Sequence, residues 1–297
     1  MSDTLGEVAA VTHRLAVLLA AGVAPVSAWH HVAVDVSSPV PAAAARAEPR
    51  GIPDAIAAAA AGSNALAEQS WRGLAAAWAV AADAGAPLAP SLTSYAASLR
   101  SLADAQRDVR VALAGPRATA RIVMVLPLIG VLFGLALGFD TLGVLFTTVP
   151  GWVCIIAGAG LMLAARAWTR RLLRNAEPSD ATPGLDHDLA AIAVSGGGAL
   201  DRAVTTVRQV GATYGIQIGD LESSLALSRR AGVPAGDLLR GEAEELRRAA
   251  RAHAQERAAA LSVRLMLPLG LCVLPAFMAL GVFPMLIAVV SSTLVSF

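Results

Sequence analysis

Between Arg121 and Arg166 the chain carries a single charged residue, Asp140, and after Arg264 it carries none. A helix rises about 1.5 Å per residue, and the hydrocarbon core of a bilayer is about 30 Å thick. Ile122–Gly138 and Leu142–Ala165 are each long enough to cross or nearly cross that core, and Leu265–Phe297 is longer still. These stretches predict roughly three membrane helices. Two Ala/Arg/Glu-rich soluble segments lie before and between them.

The rest of the composition agrees. Of 297 residues, 56% are hydrophobic and 15% charged, and the mean hydropathy is +0.61. Ordinary soluble domains carry about 25% charged residues. Aromatics make up only 4%, so the apolarity comes from Ala, Leu and Val. Strong helix formers dominate and β-branched runs are short, which predicts an all-α protein. The net charge of +1 argues against a nucleic-acid partner, which would want a basic face. All 23 basic residues are Arg. Without Lys there is no Walker A phosphate loop and no Schiff-base chemistry. Cys154 and Cys272 both sit in apolar spans without metal-ligand spacing and read as small buried hydrophobes.

Arginines set the expected orientation. Arg107, Arg110, Arg117 and Arg121 precede the first span, and Arg166, Arg170, Arg171 and Arg174 follow the second. Arg257 and Arg264 precede the third, while the link Gly138-Phe139-Asp140-Thr141 has no basic residue. The positive-inside rule then puts both soluble segments and the N-terminus in the cytoplasm and the short link outside. Arg14 followed by LAVLLAAGVAPVSA resembles the core of a signal peptide. Asp3 and Glu7 make its leading region acidic, and an amphipathic helix broken at Gly22 is the better reading.

The chain also reads as an internal duplication. Ala84-Gly85-Ala86-Pro87 matches Ala231-Gly232-Val233-Pro234, and at the same offset Leu99-Arg100 falls on Leu246-Arg247. Leu126-Pro127-Leu128 resembles Leu267-Pro268-Leu269, and the hook Ala21-Gly22-Val23 resembles Gly196-Gly197-Gly198. Each copy is a set of helices joined by Gly hooks and followed by a span. Gly ends one helix and Pro starts the next, and antiparallel packing buries the apolar faces. The expected layout is a cytoplasmic helical domain over 1–120, a membrane hairpin over 121–167, a second cytoplasmic helical domain over 168–263 and a C-terminal membrane segment over 264–297. The Pro/Ala-rich stretch Ser37–Gly62 reads as an insertion or loop in the first copy.

Candidate chemistry is sparse. His31 and Asp35 share a helix face and, with His30, are conceivable metal ligands, but a solvated helix end is the plainer reading. His13, His187 and His253 are isolated. Asp186-His187-Asp188 reads as the start of a helix, where acidic residues suit the dipole. No catalytic set, cofactor site or metal site emerges. Asp140 is either an intramembrane charge or a turn residue at the outer surface. Pro127, Pro150, Pro268, Pro275 and Pro284 sit in or beside the spans, and the three in Leu265–Phe297 predict a bent span or a re-entrant end.

The most charged segment is Asp237–Arg264. Its acids lie early and its arginines late, as the helix dipole favours, and Glu244–Arg248 is a favourable four-apart pair. Glu244, Arg247, Arg248 and Arg251, with Arg100 and Arg107 from the corresponding stretch Ser91–Arg110, form a candidate docking face for a cytoplasmic partner. A simple solvated face is the alternative.

The ordered set AxxAGxPLAxxLxxxAxxLR, AGPRATARIVMVLPLIGVLFG, LGFDTLGVLFTT, RAGVPAGDLLRGEAEELRR and LPLGLCVLPAFMALGVFPMLI resembles the inner-membrane platform proteins of Tad/Flp pilus systems, within the type II secretion system F family. The likeness covers nearly the whole chain apart from Ser37–Gly62 and Ala176–Gly184. It implies helical cytoplasmic bundles anchored in the inner membrane by about three spans, with no catalytic residues and no cofactor. The implied partners are a hexameric assembly ATPase, pilin subunits, the lipid bilayer, and a second copy or a paralogous platform protein. The implied role is to couple the motor to pilin extraction and polymerisation. A transporter or channel subunit is the competing class, and a membrane enzyme a third.

Overall fold

The computed structural model describes residues 4–112, 114–136, 141–175, 182–287 and 290. Among them there are only helices and turns, as the composition requires. The chain divides into two compact units, one of residues 1–107 and 178–252 and the other of residues 108–177 and 253–297.

The first unit holds α1 (Thr4–Ala20), α2 (Pro25–Ala33), α3 (Pro39–Arg46), α4 (Ile52–Ala60), α5 (Ala65–Ala84) and most of α6 (Leu88–Ala112). It also holds α10 (Leu185–Ser195), α11 (Leu200–Tyr214), α12 (Glu222–Ala231) and the first part of α13 (Ala235–Arg264). The sequence reading separated 1–120 from 168–263. In the structure the two segments share one core. Leu15, Trp29, Leu74 and Leu99 from the first segment are buried with Leu189, Val207, Leu221 and Leu239 from the second. α5 is central, packing against α1, α4, α10 and α11. Its small residues explain why: Gly73 and Ala75–Ala77 are buried, and a Cβ on Gly73 would stand 2.2 Å from the Tyr95 hydroxyl. Trp78 of α5 lies against Trp29 of α2 with ring centroids 5.9 Å apart, a tilted aromatic pair.

The hooks behave as their residues predict. Gly85 caps α5 and Gly232 caps α12, both in the left-handed region at φ 67° and 65°. That backbone is open to glycine at little steric cost. The order helix, glycine turn, helix therefore occurs in both segments, at Gly22 and Gly85 and again at Gly197 and Gly232.

Ser37–Gly62 is not a loop. It folds into α3 and α4, joined by a short 3-10 turn at Pro49–Gly51. Val40, Ala44, Ile52, Ile56 and Ala60 are fully buried. The prolines that suggested a break instead start helices: Pro39 and Pro53 stand in the first turns of α3 and α4, where the missing N–H goes unnoticed. Tyr214 of α11 donates to Asp54 Oδ1 of α4 at 2.9 Å, so this segment is tied to the second half of the chain.

The second unit contains α7 (Ala114–Ala136), α8 (Thr141–Thr147), α9 (Val149–Asn175) and the C-terminal helix over 266–287. Among the described residues two helices are long and apolar enough to cross a membrane, Val149–Leu172 and the apolar end of Ala235–Ile287. The expected first span, Ile122–Gly138, runs along α7 and ends outside the described residues, as does Asp140. The expected second span, Leu142–Ala165, is split. α8 ends at Thr147, and α9 begins at Val149 and runs well past Ala165. Pro150 marks the new start. Thr148 Oγ1 accepts from Gly151 N at 3.1 Å, and Trp152 Nε1 donates to Phe146 O at 3.1 Å. A Cβ on Gly151 would lie 2.2 Å from Val144 O, so the reversal is that tight.

The C-terminal helix answers its prolines with wide turns. π-helical turns at Leu269–Val273 and Met278–Val282 each end two residues before a proline, Pro275 and Pro284. Proline lacks the N–H and its ring crowds the preceding turn. A π turn relieves both. The helix thus stays continuous through Ile287 instead of breaking. It approaches α7 closely at Gly130 and Gly281, where a Cβ on Gly281 would meet Gly130 Cα at 3.6 Å. Small residues permit such contacts between membrane helices. Cys154 is half-buried and Cys272 buried, and neither is disulfide-bonded.

Candidate functional site

α10 begins at Leu185, as the acidic run predicted, but its N-cap is Gly184 with no side-chain cap, and the acids make contacts elsewhere. Asp188 is 4% exposed. Its Oδ2 accepts from Ser98 Oγ of α6 at 2.9 Å and from Arg247 Nη1 of α13 at 2.8 Å. Its Oδ1 has no hydrogen-bond partner among the described residues. Tyr95, one turn before Ser98, donates to Ser70 O at 2.7 Å. Three helices from both halves of the chain therefore meet at one buried carboxylate. Burial pushes Asp188 upward from the ordinary carboxylate range, and the Arg247 guanidinium opposes that shift.

A second polar cluster adjoins it. Asp186 Oδ1 accepts from the His187 backbone N–H and lies 2.8 Å from His187 Nδ1. Asp186 Oδ2 accepts from Gly219 N at 3.1 Å. His187 Nε2 lies 3.6 Å from Glu242 Oε2 of α13, and Ser224 of α12 donates to that same carboxylate. The hydrogen bond to Asp186 raises the His187 pKa above its ordinary 6.5, against the effect of burial, with Glu242 and Asp188 adding to the rise. Burial would raise Asp186, but its bonds to His187 and Gly219 hold it below the usual range.

A histidine whose folded pKa is raised contributes stability that is fully present below the unfolded value near 6.5 and lost as pH climbs through the folded value. The first unit is therefore expected to lose stability as pH rises above 6.5, and H187Q to flatten that slope. Thermal unfolding at several pH values checks it; equal slopes in both proteins would remove His187 from the account.

The expected docking face is only partly a face. Glu244 and Arg248 are exposed and paired with each other, and Arg248 also lies 3.8 Å from Glu245. Arg251, Arg100 and Arg107 are exposed. Arg247 is not: its side chain is 13% exposed and turned inward onto Asp188. The phase of α13 is the reason. Leu239 and Ala243 are buried at four-residue spacing, and Arg247 is the next position on that stripe. The sequence reading missed both members of this pair. The continued stripe was the signal for Arg247. For Asp188 it was a place between Leu185 and Leu189 on a helix buried nearly all round. His31 and Asp35 join no metal cluster, and the described residues contain none.

A chain built, among the described residues, wholly of helices, two of them long and apolar enough to cross a membrane, falls in the class of all-α membrane proteins. Residues 11–136 and 187–283 match the family model for protein F of the type II secretion system. The chain belongs to that family, the inner-membrane platform proteins of type II secretion, type IV pilus and Tad systems, which are structural rather than enzymatic. No curated protein and no solved structure matches it.

Proposed function

We propose that this chain is the inner-membrane platform of a Tad/Flp-type pilus or a type II secretion machine. It passes the work of a hexameric cytoplasmic ATPase to the extraction and polymerisation of pilin subunits. It acts as an oligomer, with itself or with a paralogous platform protein. Both soluble segments and the N-terminus face the cytoplasm. The observation that carries the reading is family membership over both segments of the chain. The folded unit adds support, because the two segments share a core and so lie on one side of the bilayer. α6 and α13 each contribute residues to both units, so the covalent route from the helical unit toward the apolar helices is itself helical. Glu244, Arg248, Arg251, Arg100 and Arg107 are the proposed contacts for the motor. Arg247 is given a core role instead. A transporter would want charged groups within its spans, and Val149–Ala165 and Met266–Ile287 contain no Asp, Glu, His or Arg.

Topology is the direct test. In a chain with Cys154 and Cys272 replaced by serine, single cysteines at Arg50 and Asp140 are treated with an impermeant maleimide on intact cells. Cysteine at Asp140 is expected to label and cysteine at Arg50 to label only after lysis. Labelling of Arg50→Cys from outside would overturn the proposal, since no cytoplasmic motor could reach that unit. Co-expression with a secretion-type ATPase is expected to give co-purification, and charge reversal at Arg248 and Arg251 to weaken it several-fold.

A further inference from the structure

α9 carries no acidic residue and gathers its arginines at one end. Along its length runs one exposed stripe: Trp152, Ile156, Leu163 and Arg170, at spacings of four and seven residues that keep them on one face. Arg166 adjoins that stripe one turn before Arg170, and Arg171 follows beside it. All three arginines are exposed, and none makes an ion pair with a described residue. Trp168, 39% exposed, lies at the same depth along the helix but two residues from both Arg166 and Arg170, so it faces away from the stripe. From Trp152 to Arg170 the helix rises about 27 Å, close to the thickness of a hydrocarbon core of about 30 Å. The apolar part of the stripe fits lipid tails. Its basic end then falls at headgroup depth, where indole rings concentrate and arginine side chains reach outward to phosphate.

We propose that Arg166, Arg170 and Arg171 form a retention site for the phosphate headgroup of anionic phospholipid on the cytoplasmic leaflet, with Trp168 at the same interfacial depth on another face of the helix. The inference rests on the membrane reading above. Arginine suits the task because its planar fork pairs two donors with phosphate oxygens. The absence of carboxylates from α9 leaves no competing partner on the same helix. The occupant is lipid and not an acidic protein segment, because the cluster continues directly from an exposed apolar stripe of membrane length.

The test uses the purified full chain in nanodiscs containing equal phosphatidylglycerol and phosphatidylcholine, followed by stepwise delipidation and measurement of the lipids retained. The wild type is expected to retain phosphatidylglycerol over phosphatidylcholine by at least about tenfold, since each arginine near an anionic surface contributes about fivefold in binding. R166Q/R170Q/R171Q is expected to retain the two lipids almost equally. R166K/R170K/R171K is expected to keep most of the preference, and R14Q/R46Q/R50Q, which removes the same charge from the other unit, to keep all of it. An unchanged preference in the triple glutamine variant, or equal loss in R14Q/R46Q/R50Q, overturns the site. Should the triple variant not insert, R170Q and R171Q singly carry the comparison, each expected to lower the preference severalfold. Flotation with pure phosphatidylcholine vesicles separates the two readings. A wild type that floats but shows no anionic preference sinks the retention site alone. A wild type that does not float sinks the membrane reading and the site together.

Discussion

Replacing Arg247 by alanine is expected to destabilise the helical unit by about 3–5 kcal/mol, the cost of leaving a buried charge without its partner. Asp188 is almost completely shielded from solvent and receives Arg247 and Ser98 on the same oxygen. With the guanidinium gone, the carboxylate keeps one hydroxyl donor and the weaker influence of His187, and loses its paired countercharge. Burial already raises its pKa, so proton uptake will relieve part of the cost, and the loss should be smaller in acid than at neutral pH. D188N offers the control, because it keeps the shape and removes the charge. In R247A/D188N the two effects should fall short of additive, as expected for residues in one network. Thermal unfolding of the full chain in detergent, read alongside hydrogen exchange of the α10 and α13 amides, measures it. A shift in R247A no larger than that of an exposed change such as R248A would mean that the pair contributes nothing to cohesion.

Ile56→Ala is expected to cost about 2–5 kcal/mol, the usual range for emptying a buried aliphatic site. Ile56 and Ile52 are wholly enclosed on α4, and Val40 is enclosed on α3. A cavity there is lined by α5 and α3, which are held by their own packing and cannot collapse fully. Removal of 37–62 as a whole should abolish folding of the unit, since α5 would lose the cover that those helices supply. Protease resistance of the purified chain reads both. A near-neutral Ile56→Ala would return the segment to the status of a surface insertion.

The two expectations mark where sequence reasoning reaches and where it stops. Gly85-x-Pro87 and Gly232-x-Pro234 were legible because each signal has one dominant physical meaning: a left-handed cap, then a preset first helical turn. The apolar stretches were legible because absence of charge over membrane length has few other causes. Ser37–Gly62 was not, because proline ends helices and begins them, and Ala-rich composition says nothing about which face is covered. Val40, Ala44, Ile52 and Ile56 were the pattern to weigh there. The break at Thr148 was hidden by continuous hydrophobicity, which does not register a change of direction; Pro150 next to Gly151 was the local sign. Arg247 and Arg248 are neighbours of the same type, and composition could not tell them apart. Only helical phase, counted from Leu239 and Ala243, turns one inward and leaves the other in solvent.

Phase has a further consequence at the C-terminal end. Each π turn takes up one residue more than an α-turn, so beyond Val273, and again beyond Val282, side chains point about 100° away from where an uninterrupted wheel would draw them. A wheel plotted straight through Met266–Ile287 therefore assigns the wrong residues to the seam with α7 and α9. The prolines at nine-residue spacing act as reset marks, and any design that replaces them must also delete the surplus residue or accept a rotated helix.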